Sequence, residues 1–368
     1  MRTDHRLLLV SLLTLFSACL RPARERAELD NKVGKYETEE IKINVSQGLA
    51  AVHNLEKSKF KFWLQAPEIE FTFENTGSVE LDLEVQLHNT LPEIEVECID
   101  ENIEACVVQL ENTSVLTRKL LRLTLPVGSK YNLHLKATDT SSSVFKIALL
   151  SDIQEELPRV LDIINKMNEP EDVLFAISAG DLTDNGIKEQ IVKFQDSFEA
   201  LNYPFYSTPG NHDVGMASSR IWHEMFGRNS FSFVFSDTRF TFVDSANATV
   251  DPLVHDQLDK WLELGKDQVH LFITHIPLVD PDGFRNGSFR SRNESAKILS
   301  KLAAYKVDLT LYGHIHSLYH YENAGIEAYI SGGGGGWPEK LDDIGRHFLL
   351  ITIDPSRGIE KVETIRVD

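Results

Sequence analysis

Five apolar runs in this chain end on side chains that bind cations or move protons. Phe205-Tyr206-Ser207-Thr208 closes into Pro209-Gly210-Asn211-His212-Asp213, an amide oxygen, an imidazole and a carboxylate on one short turn. Phe145 to Leu150 runs into Ser151-Asp152-Ile153-Gln154, and Leu174 to Ile177 runs into Gly180-Asp181. Leu271 to Thr274 ends at His275, and Leu309 to Tyr312 ends at Gly313-His314-Ile315-His316. Oxygen and imidazole donors without thiolates suit Mn, Fe or Zn in a catalytic setting rather than a structural zinc knot. Taken alone, each histidine reads as readily as a satisfied structural residue. Their common placement at the ends of apolar runs gives the ligand role its weight.

Such runs need strands to carry them. Between them lie amphipathic patterns of helical period over residues 157–168, 186–201, 252–264 and 291–305, the first with Val160, Ile163, Ile164 and Met167 on one face. Phe231 to Phe235 and Phe240 to Val243 read as a hairpin pivoting at Asp237-Thr238, and residues 326–330 and 348–353 read as returning strands. Strands alternating with helices from about residue 144 predict a layered α/β domain, residues 144–368. The site of such a domain lies beyond the carboxyl ends of its strands.

Upstream the pattern changes. Residues 41–143 hold short alternating runs such as Ile69-Glu70-Phe71-Thr72-Phe73, broken by Asn, Gly, Pro and Ser. These predict antiparallel strands and a smaller all-β sandwich. A polar linker, Thr138 to Ser143, separates it from the α/β domain. No cluster of catalytic side chains falls there, and His53, His88 and His134 read as packing or surface residues. Cys98 and Cys106 are close enough for a disulfide across a hairpin or bulge, with two buried free thiols as the alternative. Residues 20–40, rich in Arg, Glu, Lys and Asp, read as a solvated tether.

Residues 1–19 have the layout of an export signal: Arg2, His5 and Arg6, then the apolar run Leu7 to Phe16, then Ser17-Ala18-Cys19. The apolar run is too short to span a bilayer. A Cys after Ser-Ala resembles the lipobox of bacterial lipoproteins, with Phe16 departing from its usual Leu. This implies membrane attachment through a lipid on Cys19, at the cell envelope; plain secretion is the alternative. The formal net charge of −19 argues against a general nucleic-acid binder and disfavours a nuclease. It does not exclude a small phosphate substrate, because bound cations reverse the local field.

Asp152-x-Gln154, Gly180-Asp181, Gly210-Asn211-His212-Asp213, His275 and Gly313-His314-x-His316, in that order, resemble the motifs of the calcineurin-like metallophosphoesterases. The resemblance implies a layered αββα metallophosphoesterase sandwich and two divalent metal ions (Mn, Fe or Zn) bridged by Asp181. One metal would take Asp152, Asp181, His316 and Gln154, the last at a place usually filled by His. The other would take Asp181, Asn211, His275 and His314. A hydroxide between the metals would attack a small phosphomonoester or phosphodiester substrate in line. His212 would face the substrate and donate to the leaving oxygen or to the developing charge, and Asp213 would orient His212 and keep it protonated. Gln154 leaves an alternative, a surface binding lipoprotein with a degenerate site. Ser331 to Trp337 lacks the Lys and Ser/Thr of a nucleotide-binding loop and reads as a flexible loop bordering the site. Arg285, Arg290 and Arg292 read equally as phosphate ligands or solvated surface.

Overall fold

The computed structural model describes residues 22–99, 106–138, 144–214, 220–283, 286–338 and 343–367. The export signal with Cys19, residues 139–143 of the polar linker and Arg285 lie outside them. Among the described residues no helix is long and apolar enough to cross a membrane.

Alternation in the first half resolves into two five-stranded sheets. One is ordered Lys35–Glu37, Ile41–Val45, Ile69–Asn75, Lys130–Ala137, Ile94–Cys98 and is antiparallel throughout. The other is ordered Ala50–Glu56, Lys59–Leu64, Leu81–His88, Arg118–Leu125, Val107–Asn112, with a single parallel pairing between its second and third strands. In Ile69–Asn75 every second residue is buried, as a strand with one core face requires. The buried faces meet where the Phe62 ring lies 6.0 Å from Phe71 and 6.1 Å from Phe73. Cys98 and Cys106 are bonded to each other, with 6.6 Å between their α-carbons.

The second half is four layers deep. One sheet runs Phe205–Ser207, Val173–Ser178, Phe145–Leu149, His347–Asp354, Gly358–Arg366, its first three strands parallel. The other runs Phe231–Phe235, Thr238–Val243, Val269–Thr274, Leu309–Tyr312, Ile326–Ser331, Leu318–Asn323, its middle four parallel. Between the sheets Phe175 contacts Phe233, Phe235 and Phe240 at 6.1, 5.6 and 5.3 Å. Helices Leu161–Met167 and Lys188–Phe198 cover the outer face of the first sheet, and Pro252–Leu264 and Arg292–Ala304 that of the second. The latter two start where predicted because Asp251 accepts from the Leu253 N–H at 2.9 Å and Ser291 from that of Glu294 at 3.2 Å. The hairpin turns one residue earlier than expected, at Ser236-Asp237, both with positive φ (46° and 55°), as a two-residue primed turn demands.

The tether reading is corrected. Residues 22–30 are helical and dock on the α/β body. Arg26, 1 % exposed, donates twice to Asp244 at 2.6 and 3.1 Å. One turn later, buried Asp30 accepts from the Asn229 and Ser230 N–H groups and meets His223 Nε2 at 2.9 Å. The charges that suggested a solvated segment are the ones that fasten it.

The N-terminal sheets grip the first α/β sheet at its Phe205–Ser207 edge. The Asn89 amide exchanges two bonds with the Phe205 backbone, at 2.8 and 2.9 Å, and the Gln65 amide two with Ser207, at 3.0 and 3.2 Å. Two side-chain amides thus stand in for the next strand on an otherwise open edge. That edge strand leads directly into Asn211 and His212.

Candidate metal centre

Five parallel strands, three from one sheet and two from the other, deliver their carboxyl ends to one place. Asp152, Gln154, Asp181 and His314 all adopt left-handed backbone, with φ of 62°, 46°, 55° and 69°. Such conformations cost about 1–3 kcal/mol each and persist where the surroundings enforce them. The enforcement is visible. Asp152 and Gln154 donate backbone N–H groups to the carbonyls of Gly180 and Asp181, and the His314 N–H reaches the Asp152 carboxylate at 2.9 Å. A Cβ on Gly210 would stand 2.1 Å from Asp181 Oδ1, and one on Gly180 would stand 2.3 Å from the Gly210 nitrogen. The two glycines let the Asp181 and Asn211 turns touch.

Asp181, His275 and His314 offer donor atoms all within 4.8 Å of one another, and so do Asp152, Asp181 and His316. Asp181 belongs to both groups. Asn211 joins the first, its Oδ1 3.0 Å from His275 Nε2. Gln154 joins the second, its Nε2 2.8 Å from Asp181 Oδ2 and 3.2 Å from His316 Nε2. All seven residues expected as ligands therefore converge. His275 Nδ1 donates to the Ala179 carbonyl at 3.1 Å and His316 Nδ1 to that of Trp337 at 2.7 Å, which commits Nε2 of each ring to the interior.

The electrostatics call for cations. Burial by itself lowers an imidazole, yet the carboxylates of Asp181, Asp152 and Asp213 push His275 up to about 9. Burial also opposes charge on His316, and Asp152 still raises it. For Asp181, burial would raise the carboxyl, but His275 and His212 hold it well below its usual range. Buried carboxylates and imidazoles facing one centre fit two divalent ions sharing Asp181, with oxygen and nitrogen donors for each. The Gln154 carboxamide fits on a half-turn, since its NH₂ now faces Asp181 and its oxygen is the donor a cation needs.

The expected partnership of Asp213 with His212 is corrected. Asp213 is 2 % exposed and accepts from the N–H groups of Leu182, Thr183 and Gly210 at 3.2, 2.9 and 3.0 Å and from the Thr183 hydroxyl at 2.8 Å. Burial, with Asp181 adding to it, pushes its carboxyl up to about 6. It clamps the Asp181 turn to the Asn211 turn and leaves the imidazole alone. His212 is held by Asp184, whose carbonyl accepts from Nδ1 at 2.7 Å with its carboxylate 3.7 Å away. Asp184 follows the Asp181 motif by three residues, and that spacing was the available signal.

The glycine-rich stretch borders the site, as expected, but it is pinned. Gly334 and Gly336 donate to the carbonyls of Ser151 and Asp152, each at 2.8 Å, and Gly333 accepts from His347 at 2.9 Å. A Cβ on Gly336 would lie 2.6 Å from His316 Cε1, so glycine is what allows this backbone to line a ligand. His255, His270 and His320 lie outside the centre, paired with Glu294, Thr241 and Glu327. Arg290 and Arg292 are exposed.

Residues 145–318 match the family model described as calcineurin-like phosphoesterase. A protein of Arcobacter nitrofigilis named as a probable glycerophosphodiester phosphodiesterase is 32% identical over 176 residues, 43% of this chain and 60% of the relative. A 3',5'-cyclic-nucleotide phosphodiesterase of Nostoc sp. is 22% identical over 222 residues, 56% of this chain and 76% of the relative. The chain thus spans about 60% of the length of the Arcobacter relative. Purple acid phosphatase PPD1 from yellow lupin seeds superposes with a TM-score of 0.55 at 15% identity, covering 87% of this chain and 72% of that one, a likeness of fold. Residues 145–318 are thus similar in sequence to the calcineurin-like phosphoesterases, and the likeness to the lupin enzyme is one of fold.

Proposed function

We propose that this chain is a metal-dependent phosphoric ester hydrolase acting on a small phosphodiester, with monoesters as the lesser possibility. The observation that carries the reading is the pair of donor groups sharing Asp181. Asp152, Asp181, Gln154 and His316 would hold one divalent ion and Asp181, Asn211, His275 and His314 the other. Two ions so placed supply charge stabilisation at a phosphoryl oxygen and an activated water. His212, its Nδ1 fixed on the Asp184 carbonyl, offers Nε2 as the atom that hands a proton to the leaving oxygen. Asp213 keeps the two turns in register. Both curated relatives carry phosphodiesterase names, which favours the diester.

The same proposal includes export, a lipid on Cys19 and residence at the cell envelope, supported by the layout of residues 1–19. It treats the two N-terminal sheets as a β-sandwich that braces the catalytic body. Against a binding protein with a decayed site stands the completeness of the donor set.

The test is hydrolysis of bis(p-nitrophenyl) phosphate by the chain reconstituted with Mn, Fe or Zn, beside Asp181→Asn. Turnover that needs metal and disappears in the variant supports the reading. Absence of turnover with every metal, on this diester and on p-nitrophenyl phosphate, would overturn it.

A further inference from the structure

Helix 22–30 is fastened to the edge that carries the metal centre. Arg26 grips Asp244, the residue after strand Thr238–Val243. That strand runs parallel to Val269–Thr274, with Val243 opposite Thr274, so Asp244 and His275 leave neighbouring strands side by side. Ser245 then accepts from the Ile276 N–H at 2.8 Å, and Arg24 reaches Asp251, where helix Pro252–Leu264 begins. Only Leu20 and Arg21 separate Cys19 from helix 22–30. Three residue steps of extended chain reach at most about 11 Å. The same edge exposes large apolar side chains. Trp337 is 76 % exposed although its carbonyl holds His316, whereas the other three tryptophans are buried. Leu161, exposed, precedes Asp162 of the cleft beside His316. Ile187, also exposed, follows Gly186, where a Cβ would stand 2.2 Å from the Asp213 carbonyl oxygen.

We propose that a lipid bilayer is the partner of this edge. The lipid on Cys19 draws the body down until Trp337, Leu161 and Ile187 meet the interface, so that the metal centre opens toward the membrane. The proposal rests on the lipid-anchor reading above. The tether argues for it, because a lipid within about 11 Å of a helix clamped to Asp244 leaves the body little freedom to stand off or turn over. A long solvated tether would leave every face free to approach. Side-chain chemistry argues for it too. Tryptophan favours the headgroup level, where its ring meets apolar matter and its N–H meets water. The net charge of −19 draws no anionic headgroups, so the contact is apolar and imposed by the tether. A bilayer is flat on the scale of one domain, and a plane that meets both the helix start and these three side chains crosses the edge where the strands end.

The test uses the full chain, produced in a bacterial host that processes lipoproteins and reconstituted into phosphatidylcholine vesicles with or without bromine on the acyl chains. Mass spectrometry of the N-terminal peptide first establishes whether Cys19 carries lipid. On brominated vesicles most of the Trp337 emission is expected to be lost. Trp337→Phe should abolish that loss, because the remaining tryptophans are buried. The control is Leu264→Trp in a Trp337→Phe background. Leu264 is exposed at the far end of a 13-residue helix that starts at the site edge, about 20 Å away, and the introduced ring should keep its emission. Lipid on Cys19 with Trp337 unquenched, or with both positions quenched alike, overturns the orientation and leaves the anchor reading standing. A Cys19 without lipid overturns the anchor reading and the orientation with it. Both substitutions change exposed side chains and touch no metal donor, so neither outcome hinges on folding.

Discussion

Replacing Arg26 with Met is expected to cost about 3–5 kcal/mol of stability, because it strands a buried carboxylate. The Arg26 and Asp244 side chains are only 2% and 6% exposed, so solvent cannot take over when the guanidinium is gone. Asp244 would keep the Ala246 N–H at 2.9 Å and the Asn229 amide at 3.3 Å, neither of them charged. For a domain of this size each kcal/mol lowers Tm by about 2–4 °C, so the expected drop is about 6–20 °C. Arg26→Met/Asp244→Asn removes the stranded charge while retaining an acceptor for Ala246, and should recover most of the loss. The assay is urea unfolding followed by circular dichroism, with thermal melts in parallel. The pH dependence has a defined sign. Burial would raise the Asp244 carboxyl, but Arg26 holds it below its ordinary value. A depressed carboxyl contributes stability above the unfolded value near pH ~4 and loses it as pH falls through the folded value. The gap between wild type and Arg26→Met should therefore narrow below about pH 4. A loss under about 1 kcal/mol at neutral pH, the range of an exposed ion pair, would refute the reasoning and return residues 22–30 to the status of a tether.

Gln154→His should tighten Mn or Zn binding by about ten-fold, read by competition with a chromogenic chelator; unchanged affinity would remove Gln154 from the ligand set. His212→Asn should lower kcat by about 10²- to 10⁴-fold with metal content unchanged by elemental analysis, and a kcat within two-fold of wild type would deny it the proton. Asp213→Asn, by contrast, should lower both Tm and metal content, since it turns a four-bond acceptor partly into a donor; intact metal content with reduced kcat alone would restore the orienting role expected from the sequence. Asn89→Ala should cost about 1–3 kcal/mol by leaving the Phe205 backbone groups unpaired, and equal stability to wild type would mean that the edge strand stands without its brace.

The layered α/β body and the seven donors were legible because periodicity and position carry them. Strands end, the chain turns, and the first residue able to bind a cation after each turn lies at the same edge. Helix bounds came within a few residues for the same reason: Arg292–Ala304 and Pro252–Leu264 have an apolar stripe and a capping Ser or Asp. The short helix Arg220–Met225 and the outer strands Leu318–Asn323 and Gly358–Arg366 escaped notice. Leu318–Asn323 and Gly358–Arg366 are edge strands with little buried face, so alternation in their sequence is weak.

The errors have a different cause. Asp213 was assigned to His212 because the two are adjacent in sequence, yet neighbouring side chains on a tight turn diverge, and the Asp213 carboxylate found four donors, three on the Leu182-Thr183 segment and one at Gly210 of its own turn. Residues 22–30 were read as solvated because Arg and Glu are seldom buried, but burial of a charge depends on a partner that composition does not display. Asp244 and Asp30 occupy that role across 218 and 193 residues of sequence, with Arg26 and His223. Gln65 and Asn89 act on the edge strand from 142 and 116 residues away. In each case a polar side chain satisfies a group on a distant segment, and such pairings follow no period. Apolar patterning reports which face of an element is buried; it carries no information on which distant polar group meets which. The convergence of candidate donors was readable because five turns each bring their own, whereas the contacts that hold those turns in place are specified only by the folded chain.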